Sequence, residues 1–157
     1  MSLNPQILKT EIRKFTDPNF AQFASWPENI MDSARRFANA IGLYASTVIP
    51  PSTTVEAAKV AFIGIFVNIV GEPVENGPIL LPQAFQSFCV ALGGGMAPAF
   101  VAVPPIWTGN EFRSLQILGE GGASAEQCAD LFANIVDVKF RSGTATNTSS
   151  GVVVPWS

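Results

Sequence analysis

The chain has 157 residues, about the size of one domain. Apolar residues make up 48% and charged residues only 13%, which excludes a polar disordered chain. Nine Lys and Arg against twelve Asp and Glu give a net charge of −3, with no basic surplus to draw the chain onto nucleic-acid phosphates.

Histidine is absent, which removes His-based triads, His general bases and nearly every catalytic zinc site. Two cysteines, Cys89 and Cys128, are too few for a disulfide scaffold. The charged residues Lys9, Glu11, Arg13 and Lys14 near the N-terminus argue against a signal peptide. The most apolar run, Val60 to Gly71, is short of the roughly 20 residues that span a bilayer. Residues 76–110 carry no charge, but prolines and the Gly93-Gly94-Gly95 run break them up. The expectation is no signal peptide, no membrane span and no nucleic-acid partner.

Asn4-Pro5 reads as the cap and first residue of a helix with Ile7, Leu8, Ile12 and Phe15 at helical spacing, stopped at Asp17-Pro18. Ser25-Trp26-Pro27-Glu28 fits a capping box before a second helix, whose apolar stripe is Ile30, Ala34, Phe37, Ile41 and Tyr44. Ser46 to Ile49 is β-branched and extended, ended by Pro50-Pro51. Thr53-Thr54-Val55-Glu56 is a second capping box. The helix after it, to about Val70, is apolar nearly all round and so predicts a central helix covered on every side; Gly71-Glu72-Pro73 closes it. Pro82 opens the next helix, through Phe85, Phe88 and Leu92 to Gly93–Gly95. Ala99 to Val103 is extended. Asn110 caps a short helix holding Phe112, Leu115 and Leu118. Ser124-Ala125-Glu126-Gln127 is a third capping box, before a helix with Ala125, Cys128, Phe132 and Ile135 on one face.

Phe37 to Ile41 resembles Phe132 to Val136, with Phe88 to Leu92 as a looser third copy. Each copy leads into an extended run, which suggests internal repeats near residues 28–71, 78–120 and 124–157. The fold class expected is mainly α: a compact bundle of about five or six helices with short extended segments. Residues 1–142 form the helical domain. Residues 143–157 form a flexible Gly/Ser/Thr linker and a C-terminal extended arm, in which Val152, Val153, Val154 and Trp156 are candidates for a partner contact.

No phosphate loop, nucleophile elbow or Cys-x-x-Cys pair occurs. Glu72 and Glu75 flank an exposed turn. Cys89 and Cys128 sit in apolar helices as small hydrophobes. Lys9, Arg13 and Lys14 form a basic face on the first helix, with Arg35 and Arg36 on the second. These read as solvated faces or as contacts for an acidic partner. Asn147-Thr148-Ser149 fits a glycosylation sequon without a secretory context. No catalytic, cofactor or metal residue is assigned.

The segments ANAIGLYASTVIPPSTT (38–54), AFQSFCVALGGGMAPAFVAVPP (84–105) and FRSGTATNTSSGVVVPWS (140–157) together resemble the small accessory structural proteins encoded among the virion genes of tailed bacteriophages. The resemblance runs from about Glu28 to Ser157. It implies a non-enzymatic subunit of the virion, present in many copies, assembled in the host cytoplasm and in contact with other virion proteins and with copies of itself. The place expected is the tail or baseplate region. The alternatives are a capsid decoration or neck protein, and a membrane-active helical protein.

Overall fold

The computed structural model describes residues 2–69 and 77–157. Among these the protein is mainly helical, with six α-helices and a small antiparallel sheet. The order is α1 (Pro5–Thr16), α2 (Ile30–Ala45), α3 (Val55–Phe66), a short 3-10 turn (Val67–Ile69), α4 (Gly77–Gly94), β1 (Phe100–Val103), α5 (Arg113–Glu120), α6 (Ala125–Phe140), β2 (Thr144–Asn147) and β3 (Val153–Pro155). The mainly α class read from the sequence is the class found. The expected close of the third helix at Gly71–Pro73, and Glu72 and Glu75, lie outside the described residues.

The helix starts show which local signals win. Asn4 caps α1 by accepting from the Gln6 N–H, with Pro5 at the first position. Ser124 and Gln127 complete a reciprocal capping box on α6. The box expected at Ser25–Glu28 is displaced: Asn29 caps α2, accepting from the Asp32 N–H, while Asp32 accepts from the Glu28 N–H. Ser25 instead takes hydrogen bonds from Arg36. Thr54 precedes α3 but makes no side-chain cap. Its hydroxyl donates to the Ala91 carbonyl at 2.6 Å, and Ser52 donates to Leu92 at 2.5 Å. Both hydroxyls serve carbonyls in the last turn of α4, where the Leu92 carbonyl also accepts from the Gly95 N–H, which ties the start of α3 to that end. Pro82 does not open α4 but lies inside it. The short helix starts after Phe112, and Asn110 contributes only its carbonyl, to the Arg113 N–H.

The expectation of an all-round buried third helix is corrected. Ala58, Phe62 and Phe66 of α3 are buried, whereas Val60 is 69% exposed. α3 packs on α2 and α4, and its third side, with Ala57, Val60 and Gly64, faces outward. The core is a continuous aromatic stack. Phe62 meets Phe85 edge-on at 5.3 Å, Phe85 stacks on Trp107 at 4.6 Å, and Phe112 stacks on Phe132 at 5.6 Å. Such pairs add about 0.5–1.5 kcal/mol each beyond area burial.

The second correction concerns residues 143–157, which form neither linker nor arm. β2 is the central strand of the sheet, antiparallel to β1 (Val101 opposite Thr146) and to β3 (Thr146 opposite Val153). The Thr/Ser/Gly run is turn chemistry. The Asn147 carboxamide oxygen accepts from the Ser149 and Ser150 N–H groups, and Gly151 sits at φ +71° and donates to the Asn147 carbonyl. Asn and Gly are the residues that tolerate this geometry. Trp156 is fully buried against Phe140 and donates its indole N–H to the Thr144 carbonyl. Gly143 makes room for it, because a Cβ there would fall 2.8 Å from the indole and 2.9 Å from Pro105. Ser157 exchanges two backbone hydrogen bonds with Ile49, which stitches the end of the chain to the segment after α2. Of the three extended runs expected after helices, those after α4 and α6 are strands. Ser46 to Ile49 is not, although Ile49 makes this two-bond bridge.

Candidate interaction surface

The four residues singled out near the C-terminus divide. Trp156 belongs to the core, so its assignment to a partner contact is corrected. Val154 is partly buried and packs inward opposite Ala145. Val152 lies in the turn before β3 and is exposed, as is Val153. The fold brings Val153 together with residues the sequence does not assign to it. Residues directly opposite one another in a sheet share a face, so the outer face carries Val101, Thr146 and Val153 in one row and Val103, Thr144 and Pro155 in the next. Val101, Val103 and Val153 each leave more than half their surface open, and Ile106 after β1 is 72% exposed. Residues 99–103 read in the sequence only as an extended run, because all five are apolar and no polar–apolar alternation marks one face.

No residue of the three strands is charged. Along the free side of β1 runs a groove of about 350 Å³ lined by Val90, Gly94, Ala97, Phe100, Val101 and Pro104 among others, none of them ionisable. A second hollow, about 290 Å³, lies between α1, α2, α5 and α6, with Ile12, Phe37, Leu115, Cys128 and Phe132 around it. Its walls are apolar apart from Thr16, whose hydroxyl donates to the Ile12 carbonyl, and the Cys128 thiol.

The polar groups with perturbed ionisation are tied to fold contacts. Burial, and the hydrogen bond it donates to Asp137 at 2.8 Å, push the Tyr44 phenol far above its ordinary range. Asp137 also accepts from Arg141, whose pKa it raises, and Arg141 donates to the Leu3 carbonyl. The trio joins α2, α6 and the N-terminal segment. Burial works against the Glu111 carboxylate, but Lys139 and the hydrogen bonds from Thr108 outweigh it and hold the pKa down at about 2. Burial pushes the Cys89 thiol up to about 12, an unreactive state. The Trp107 indole N–H is buried without a hydrogen-bond partner among the described residues; the nearby Cys89 sulfur is a weak acceptor.

The basic face of α1 is neither free nor merely solvated. Lys9 pairs with Glu126 and Asp130, and Arg13 pairs with Glu126 and with buried Asp17. The pairs to Glu126 and Asp130 bridge α1 and α6 beside the buried Leu8, Ile12 and Phe15 of α1, and Asp17 closes the end of α1 itself. Arg36 pairs with Asp32. Among the described residues no group of three or more Cys, Asp or Glu is placed to hold a metal ion, and no helix is long and apolar enough to cross a membrane.

No family model matches the chain, no curated protein matches its sequence, and no solved structure matches its fold.

Proposed function

We propose that the chain is a non-enzymatic structural subunit of a bacteriophage particle, in the tail or baseplate region, that works through protein–protein contacts. The observation that carries this reading is the outer sheet face: Val101, Val103 and Val153 stand exposed in adjacent rows with no charge among them. Apolar surface grouped in this way marks contact sites, and charged residues are depleted at the centres of protein interfaces. The placement in a phage particle rests on the resemblance of residues 38–54, 84–105 and 140–157 to accessory virion proteins.

The test is mass spectrometry and cryo-electron microscopy of particles purified from a phage that encodes the chain. The chain is expected at stoichiometric copy number, with density at the tail or baseplate. Val153→Lys changes an exposed position, so it should fold normally yet be depleted from particles. Absence of the wild-type chain from purified particles refutes the reading.

A further inference from the structure

Among the described residues β1 is an edge strand with one side open. The other edge, β3, is guarded: Pro155 offers no N–H, and the two-bond bridge between Ile49 and Ser157 closes its end. β1 carries no Lys, no internal Pro and no charge on its flanks, so its only guards are its four-residue length and the prolines on either side, Pro98 and Pro104.

The hydrogen-bond pattern of that edge is specific. The Thr148 N–H donates to the Ala99 carbonyl. Bonding direction alternates along an antiparallel strand, so Ala99, Val101 and Val103 bond to β2 while Phe100, Ala102 and Pro104 present their backbones outward. The Phe100 N–H already donates to Met96, and Pro104 has none. Ala102 is therefore the outward residue of the strand whose N–H and C=O both lack a partner among the described residues.

We infer that β1 pairs antiparallel with β1 of a second copy of this chain across a two-fold axis at Ala102, joining two three-stranded sheets into one of six. A two-fold copy is the occupant that fits. It supplies one donor and one acceptor at the same spot, so the two Ala102 residues exchange both bonds. The outward neighbours that then face each other, Phe100 and Pro104, have no free N–H to leave unpaired. The axis is perpendicular to the sheet, so the copies of α4 beneath it lie side by side. Exposed Val90, Gly94 and Ala97 on that flank then meet their own counterparts, with small residues at the point of approach. Identical charged surfaces repel when brought together; this strip carries no charge, so two copies meet without that penalty.

The eight residues of the groove with Val103 and Ile106 fall short of the roughly 20–30 a side of a standard stable interface. The pairing is therefore concentration-dependent, and in an assembly it gains from neighbouring contacts. It holds whatever particle the chain belongs to.

The register sets the experiment. With Ala102 on the axis, Val101 of one copy opposes Val103 of the other in a non-hydrogen-bonded pair, Cα atoms about 4.5 Å apart. Two Val101 residues, offset by two positions on adjacent strands, are about 8 Å apart, beyond disulfide reach. Val101→Cys and Val103→Cys are made separately in a Cys128→Ser background, purified, and oxidised mildly alone and as an equimolar mixture. Both positions are exposed, so folding is checked by circular dichroism and expected to be retained. The mixture should yield disulfide-linked dimer at about tenfold the level of either variant alone. No dimer at millimolar concentration, or equal yields from mixed and unmixed samples, overturns the proposal. Because purified chain alone is used, the outcome is separate from whether the chain is found in phage particles.

Discussion

Replacing Trp156 by Ala tests whether the chain's last residues are structural. The side chain is fully buried. It packs edge-on to Phe140 with ring centres 6.2 Å apart, fills the space left by Gly143, and donates to the Thr144 carbonyl at 3.2 Å. Truncating a buried Trp to Ala costs about 3–5 kcal/mol, set against a total stability of about 5–15 kcal/mol. For a domain of this size each kcal/mol is worth about 2–4 °C, so the melting temperature should fall by about 6–20 °C. Trp156→Phe keeps most of the ring and loses the hydrogen bond, so it should fall by only about a third as much. Deleting residues 151–157 removes β3, Trp156 and the Ser157–Ile49 bridge together, and should cost at least as much as Trp156→Ala. Thermal melts followed by circular dichroism read all three. A melting temperature for Trp156→Ala or the deletion within about 3 °C of wild type would show that this segment does not hold the core and would return it to the role of a detachable arm.

Phe62→Asp places an unpaired charge at a fully buried site between α3 and α4; the cost of several kcal/mol should leave the protein insoluble or unfolded, and a normally melting variant would refute the packing. Tyr44→Phe removes the hydrogen bond to Asp137 and should cost about 1–3 kcal/mol in urea denaturation. A Glu111→Gln variant should be less stable than wild type at neutral pH. The folded carboxyl holds its charge down to about pH 2, below its usual value of 4.5, so its contribution is present above about pH 4.5 and is lost as pH falls through 2. Denaturation curves of the two proteins should therefore converge in acid, and a gap that widens there would contradict this. Thiol titration of the native protein at pH 8 should label half-exposed Cys128 and spare Cys89, whose thiol is buried and pushed up to about 12.

The parts of the fold legible in the sequence are those whose physics is local. Asn4-Pro5 and Ser124 to Gln127 cap their own helices within three residues, as their sequence patterns predict. Thr54 carries the same pattern without capping, because its hydroxyl finds the Ala91 carbonyl 37 positions away. A cap motif cannot show that a distant helix end competes for it. Residues 143–150 mislead for a related reason. The composition of a hairpin turn and of a flexible linker is nearly the same, and the difference lies in whether β1 is there to pair with Thr144 to Asn147. Trp156 is the clearest case. Its apolarity announces that it has to be covered, but nothing local says whether its own chain or another covers it. The exposed outer face is half legible: the sequence marks Val153, while Val101 and Val103 join it only through the register of β1 on β2.

Charge is distributed so that the two ends of the molecule are built on different physics. At one end ion pairs bridge α1 and α6 beside the buried Leu8, Ile12 and Phe15 of α1: Lys9 reaches Glu126 and Asp130, and Arg13 reaches Glu126. Exposed pairs like these are individually worth about 0–1 kcal/mol and are screened by salt. At the other end, residues 76–110 and 142–157 contain no charged side chain, and the whole sheet is drawn from them. Contacts made there depend on backbone bonding and apolar burial, which salt does not weaken and which kosmotropic salts strengthen. Raising the ionic strength should therefore loosen the α1–α6 junction slightly while leaving pairing at β1 intact or tighter. If the surface that joins subunits were instead the ionic face of α1, assembly would fall with salt. The sign of the salt dependence thus separates the two ends of the molecule as sites of assembly.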